Sequence, residues 1–320
     1  MTSRTRARHH GRQTGTRLAL VAALAASIAL GTAGCAAPGP DLNDGHLDIV
    51  TATNVWADIA EQVGGDLVVA TPLITDPSQD PHSFEASARD QLAVAKADLV
   101  ITNGGGYDDF LTQLASAQNR QNFDLTKALA TAKATPANGA EHYWYSLSAV
   151  KALAATMAAE FARQDSANGD EYAKNLEAFN TRLAPLESQL AALHTSLTTG
   201  PFGDPRQFKA FSTEPLGDQL LVDSGFDLLT NQQFSQAIEN ETDIPVGVLN
   251  DVKNLFVNGE AHLLVVNEQT RSTQIDQLIA VARRSHESVV QLSEQIPAGV
   301  DWLTWMKRNL STIATAMVRY

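Results

Sequence analysis

The segment LDIVTATNVWADIAEQVGG (residues 47–65) decides how this chain is built. Residues 47–53 form a short apolar run, and Asn54 stands where a helix N-cap belongs. Val55, Ile59 and Val63 then recur at helical spacing up to the Gly64-Gly65 stop. Strand, turn and helix in that order open a parallel sheet. The rhythm continues with LVVATPLI (67–74) as a second strand, a helix from about Ala88, ADLVITNGGG (97–106) as a third strand and loop, a helix begun by YDDFLTQLASA, and a further short element at FDLTKAL. From Ser148 to about Leu197 only helix is legible. Leu176, Phe179, Leu183, Leu186, Leu190 and Leu193 make one apolar stripe, with Pro185 inside it predicting a kink. The alternation resumes with FKAFSTE, a helix through Leu220 and Leu221, AHLLVVNEQT, a helix over 275–284, SVVQLSE and a last helix through Leu310. The expected fold is therefore α/β: two α/β lobes with mainly parallel sheets, joined by a long linking helix, with a ligand cleft between the lobes at the carboxyl ends of the strands.

The first 34 residues are of another kind. Arg4, Arg6, Arg8, Arg12 and Arg17 precede the apolar run LALVAALAASIAL (18–30), and GTAGC ends in Cys35, the only cysteine. A basic start, an apolar stretch too short for the ~20 residues of a membrane span, and a small-residue site make an export signal. TAGC resembles a bacterial lipobox, so Cys35 is the expected lipidation site. The expected division is signal peptide 1–34, lipidated cysteine and tether 35–46, N-terminal lobe 47–147, helical linker 148–197 and C-terminal lobe 198–320. With Cys35 carrying a lipid, no thiol remains for a disulfide or a thiolate ligand.

The chain carries 23 basic and 36 acidic residues, a net charge of −13. Removing a signal with five arginines and no acid makes the remainder more acidic still. Such a surface repels nucleic acid and gathers cations.

Three polar residues fall in loops facing the expected cleft: His82 in DPHSFEASARD, His142 in EHYWYSL and Glu214 in STEPLGDQLL. Taken singly, a loop histidine or glutamate is most simply a surface residue. NGGGYDDF (103–110) lacks the lysine of a phosphate-binding loop and reads as a tight turn beside the cleft. Trp302 and Trp305 read as core. His194, His262 and His286 read as structural or solvated.

Together, DPHSFEASARD, NGGGYDDF, EHYWYSL, STEPLGDQLL and PAGVDWLTWMKRNL (297–310) resemble, in this order, the cluster A-I substrate-binding proteins. These are zinc and manganese receptors of bacterial ABC importers. The resemblance implies that His82, His142 and Glu214 bind the metal. It places a fourth ligand, usually aspartate, in the loop after LLVVN, where Arg271 stands; Glu268 is the nearest carboxylate there, with a water as the alternative. Two imidazoles and one carboxylate suit four-coordinate Zn²⁺, whereas Mn²⁺ would gain from a second carboxylate. The implied protein is a monomeric, lipid-anchored, extracytoplasmic receptor. It delivers Zn²⁺, or alternatively Mn²⁺, to an ABC permease and is not an enzyme. A zinc-dependent hydrolase is the other reading, because two histidines, a glutamate and a water also describe an open catalytic site. The segment TAKATPANGAE (131–141), matching the mobile metal-collecting loop of many zinc receptors, has no histidine.

Overall fold

The computed structural model describes Met1 and residues 45–136, 141–199, 208–240 and 242–318. Cys35, the export signal beyond Met1 and the tether up to residue 44 lie outside the described residues. Residues 46–320 form one compact unit.

Its N-terminal half runs β1 (Leu47–Thr51), α1 (Asn54–Gly64), β2 (Val68–Pro72), α2 (Ala88–Lys96), β3 (Leu99–Thr102), α3 (Asp109–Ala117), β4 (Asn122–Asp124) and α4 (Leu125–Ala132). Two helices follow, α5 (Leu147–Gln164) and α6 (Gly169–Thr198). The C-terminal half runs β5 (Lys209–Ser212), α7 (Asp218–Asp223), β6 (Asp227–Leu229), α8 (Gln232–Glu239), α9 (Val246–Val257), β7 (Leu263–Asn267), α10 (Thr273–Arg284), β8 (Ser288–Leu292) and α11 (Trp302–Met317).

The strand orders are β2-β1-β3-β4 and β6-β5-β7-β8, the same pattern twice. Every strand pair is parallel, with Ile49 opposite both Ala70 and Leu99, and Leu264 opposite both Phe211 and Val289. Parallel strands all end on the same edge. Each sheet therefore offers its loops to one side, and the chain reverses direction about its first strand there. β6, α8 and α9 have no counterpart in the sequence reading. A three-residue edge strand leaves too short a run to show a period.

One hydrophobic core crosses both lobes. It joins Ile49, Leu99 and Ile101 of the first sheet to Ala210, Leu263 and Val265 of the second through α1, α5, α6 and α11. The other face of each sheet has a smaller core of its own, around Val50 and Val100 in one lobe and Phe211 and Leu264 in the other. Trp302 and Trp305 belong to the shared core, as their apolar surroundings in the sequence predict. α6 continues through Pro185 for 30 residues, losing one backbone donor there.

Asn54 corrects the reading of the opening segment. Thr53 is the N-cap of α1, and Asn54 is the first helical residue. Its carboxamide instead reaches the other lobe. Nδ2 donates to the Ile296 carbonyl at 2.8 Å, and Oδ1 accepts from the Ile296 N–H at 3.0 Å. Close by, the Trp302 N–H donates to Asp58 at 2.9 Å and its indole to the Trp144 carbonyl at 3.1 Å. Asn54→Ala leaves both backbone groups of Ile296 without partners in a partly buried seam. It is expected to lower the unfolding free energy by ~1–3 kcal/mol in urea denaturation, with secondary structure unchanged.

Candidate functional site

A cavity of about 610 Å³ opens between the lobes. It is lined from one side by His82, Glu141 and His142 and from the other by Glu214, Arg271 and Glu294, among others.

His82 lies in the single turn Pro81–Ser83, which Asp80 caps by accepting the His82 N–H at 2.9 Å and the Ser83 hydroxyl at 3.1 Å. Pro81 fixes φ at the start of this turn, so the backbone of His82 is set before any ligand arrives. The imidazole is partly exposed, and its Nε2 sits 3.3 Å from Oε1 of Glu141. That bond, opposed by partial burial, raises its pKa to about 9. Burial pushes Glu141 the other way from its partner, but the bond to His82 and the two neighbouring imidazoles hold it below the ordinary glutamate range.

His142 precedes the aromatic turn Tyr143–Tyr145 and is 6% exposed. Its ring packs edge-on against Trp144 at 5.1 Å and Tyr107 at 5.9 Å. Neither ring nitrogen has a hydrogen-bond partner among the described residues. Burial pushes its pKa down to about 4, so it is a neutral imidazole with an unused lone pair. An orphaned polar group this deep costs free energy, and a buried imidazole facing a cavity lined by acids is suited to bind a cation.

Glu214 leaves the end of β5 in extended backbone ahead of Pro215. Its carboxylate accepts from Asn267 Nδ2 at 3.0 Å on Oε2 and from the Thr270 hydroxyl on Oε1. Asn267, the last residue of β7, uses the same amide nitrogen to reach Oε1 of Glu294 at 3.0 Å. Glu294 follows β8 and is 8% exposed; its Oε2 accepts from the Tyr107 hydroxyl at 3.1 Å. Burial, and then the charge of Glu214, raise the Glu294 pKa to about 7.

The structure thus brings His82, His142 and Glu214 to one cavity and leaves Glu268 out of it. Glu268 is exposed and does not line the cavity, because it follows Asn267 and alternate residues at a strand end face opposite ways. Arg271 lines the rim but turns to Asp276 on α10, its Nε 3.0 Å from Oδ1. The carboxylate that accompanies Glu214 is Glu294, two residues after β8, the strand beside β7. The signal for it was present: SVVQLSE reads as a strand with an acid just past its end, the same placement that singled out Glu214. Glu141 was also missed as a partner of His82.

Two imidazoles and two carboxylates fit a divalent transition-metal ion. Among the described residues, no three such side chains stand close enough together to hold one as they are placed. Each donor except His142 is held by a neighbour: His82 by Glu141, Glu214 by Asn267 and Thr270, Glu294 by Asn267 and Tyr107. An ion bound here would have to exchange these contacts for its own.

The two buried groups give stability opposite pH dependences. Between pH 4 and 6.5 the unfolded chain binds a proton that folded His142 refuses, so stability rises with pH across that window. Glu294 holds a proton in the fold that the unfolded chain gives up above 4.5. Its contribution is present below 4.5 and lost as pH rises through about 7. Glu294→Gln removes this second penalty, on the order of 3 kcal/mol at alkaline pH. At pH 8 the metal-free variant is expected to melt several degrees above the parent, and at pH 4 to melt alongside it; thermal unfolding followed by circular dichroism checks both.

Among proteins of known function, the chain is 28% identical over 180 residues to the manganese-binding lipoprotein MntA of Halalkalibacterium halodurans, covering 54% of this chain and 58% of that one. It is 26% identical over 186 residues to the manganese ABC transporter substrate-binding lipoprotein PsaA of Streptococcus pneumoniae, over 54% and 60% of the two chains. The iron-binding protein YfeA of Yersinia pestis is 25% identical over 181 residues, 54% of this chain and 57% of that one. The chain therefore aligns with less than two thirds of the length of these relatives. The crystal structure of ZnuA superposes with a TM-score of 0.68 at 24% identity, over 85% of this chain and 99% of that one. The periplasmic zinc-binding protein TroA from Treponema pallidum does so with a TM-score of 0.69 at 16% identity, over 85% and 99%. At these identities the likeness is one of fold. The sequence profile of the zinc-uptake complex component A, periplasmic, matches residues 49–316, and the chain belongs to that family, one of solute-binding transport components and not of enzymes.

Proposed function

We propose that this protein is an extracytoplasmic receptor that captures a divalent first-row transition-metal ion and hands it to an ABC permease. The observation that carries the reading is His142: a buried, neutral imidazole with both nitrogens unpartnered among the described residues, facing a cavity shared with two buried carboxylates. His82 and His142 supply nitrogen, Glu214 and Glu294 supply oxygen, and the cavity between the lobes excludes bulk water from the ion. Relatives whose names specify manganese or iron, and a family named for zinc, support metal as the cargo. Cys35 as the lipid-bearing residue agrees with relatives named as lipoproteins, and the receptor acts as a monomer held at the outer face of the membrane.

The case for zinc on the ground of a missing second carboxylate lapses once Glu294 lines the cavity. The donor set now serves Zn²⁺ in four-coordination and Mn²⁺ when the carboxylates bind through more oxygens. At equilibrium such a site still holds Zn²⁺ more tightly than Mn²⁺, by the ordinary order of divalent-ion affinities, and Zn²⁺ is the cargo we favour.

Competitive Zn²⁺ and Mn²⁺ titration of the wild type, His142→Ala and Glu294→Gln tests the assignment. Each substitution is expected to weaken binding by at least ~100-fold, and unchanged affinity in both would remove these residues from the site. Loading also has a proton cost. His82, with a pKa of about 9, must lose its proton to ligate. Isothermal titration at pH 7.5 in buffers of different ionisation enthalpy should show release of about one proton per ion, and affinity should fall roughly tenfold per pH unit from pH 9 to about 7 and more steeply below, where Glu294 must also lose its proton.

A further inference from the structure

Tyr107 stands where the two halves of the site meet. Its ring lies edge-on to His82 at 5.3 Å and to His142 at 5.9 Å. Its hydroxyl crosses to the other lobe and donates to Oε2 of Glu294 at 3.1 Å. One side chain therefore touches three of the four proposed metal donors.

Tyr107 has little freedom to leave. It is fully buried and packs against Trp144 at 5.2 Å. The turn that presents it runs through Gly104, Gly105 and Gly106, at φ +74, +70 and +104. Asp108 ties that turn down by accepting from the Asn103 N–H at 2.7 Å and the Gly104 N–H at 2.9 Å. A Cβ on Gly104 would come within 2.7 Å of Asp124 Oδ1, so the backbone here requires glycine.

All four carboxylate oxygens of Glu214 and Glu294 have a side-chain donor: Thr270 and Asn267 for Glu214, Asn267 and Tyr107 for Glu294. Of these donors only Tyr107 comes from the opposite lobe. An oxygen committed to a phenol is a poor second arm for a chelating carboxylate, so Glu294 is biased to offer the metal one oxygen rather than two. Zn²⁺ is satisfied with four such bonds, whereas Mn²⁺ seeks more oxygens and a higher coordination number.

We propose that Tyr107 is a specificity-determining positioning residue: by holding Oε2 of Glu294 it keeps that carboxylate to single-oxygen ligation and disfavours Mn²⁺ relative to Zn²⁺. The inference rests on the receptor reading above. It makes Tyr107 a group that acts through Glu294 and not a ligand.

The test is the ratio of Mn²⁺ to Zn²⁺ affinity, measured by chelator competition on the full chain, in Tyr107→Phe and Tyr145→Phe. Tyr145 is the matched control. It too is a buried phenol reaching across the lobes, but its hydroxyl donates to the Ser293 carbonyl at 2.8 Å and not to a carboxylate. Tyr107→Phe is expected to raise the Mn²⁺/Zn²⁺ ratio about tenfold. It should also weaken the d–d absorption of bound Co²⁺ as that ion moves from four-coordination to a higher number, while Tyr145→Phe leaves both unchanged. An unmoved ratio in Tyr107→Phe, or an equal shift in Tyr145→Phe, overturns the proposal while leaving the receptor reading intact. A wild-type chain that binds neither ion overturns both.

Discussion

The structure depends on the strip of chain between β8 and α11, which leaves the C-terminal sheet and is pinned onto the N-terminal lobe. Asn54 brackets Ile296 with two hydrogen bonds, and Trp302 is gripped through both its backbone and its indole N–H. Each bond contributes only about 1 kcal/mol net, but together they define where Glu294 stands relative to the histidines. Trp302 then stacks on Phe179 of α6 at 6.2 Å and enters the shared core. Interiors packed at crystal-like density do not deform continuously. A large hinge motion would have to break this core, so adjustment around an ion falls to the loops and side chains of the cavity.

The cavity brings buried groups of opposite need face to face. Here an imidazole is buried with both ring nitrogens unpartnered among the described residues, and two acids are buried beside one another. Local rules of good packing are broken at this cavity, and such breaches are expected where function resides. The N-terminal lobe contributes the nitrogens and the C-terminal lobe the carboxylates. A divalent cation between them would satisfy the imidazole and cancel the repulsion of the acids in one step. Gln269 adds a mechanical tie across the same gap, donating to the Pro77 carbonyl and accepting the Glu294 N–H, both at 2.6 Å. The loop that carries His82 and the residue that carries the far carboxylate are thus coupled without any ion.

Much of this was legible in the residues. Strand-helix alternation on either side of a strandless stretch determined two parallel α/β lobes and the helices between them, because burial on both sheet faces and helical periodicity leave strong one-dimensional patterns. The loops that carry His82, His142 and Glu214 were legible as cleft-facing segments between strands and helices. Only the tertiary structure decided which carboxylate faces the cavity. Glu268 and Glu294 both follow strands of one sheet, and a difference of one residue in the pleat turns the first to solvent and lets the second turn inward. The sequence has no marker for that parity, nor for Asn54 reaching Ile296 across 242 positions or Tyr107 reaching Glu294 across 187. Such contacts are set by how two folded lobes dock, and docking follows from the shared core rather than from any local pattern.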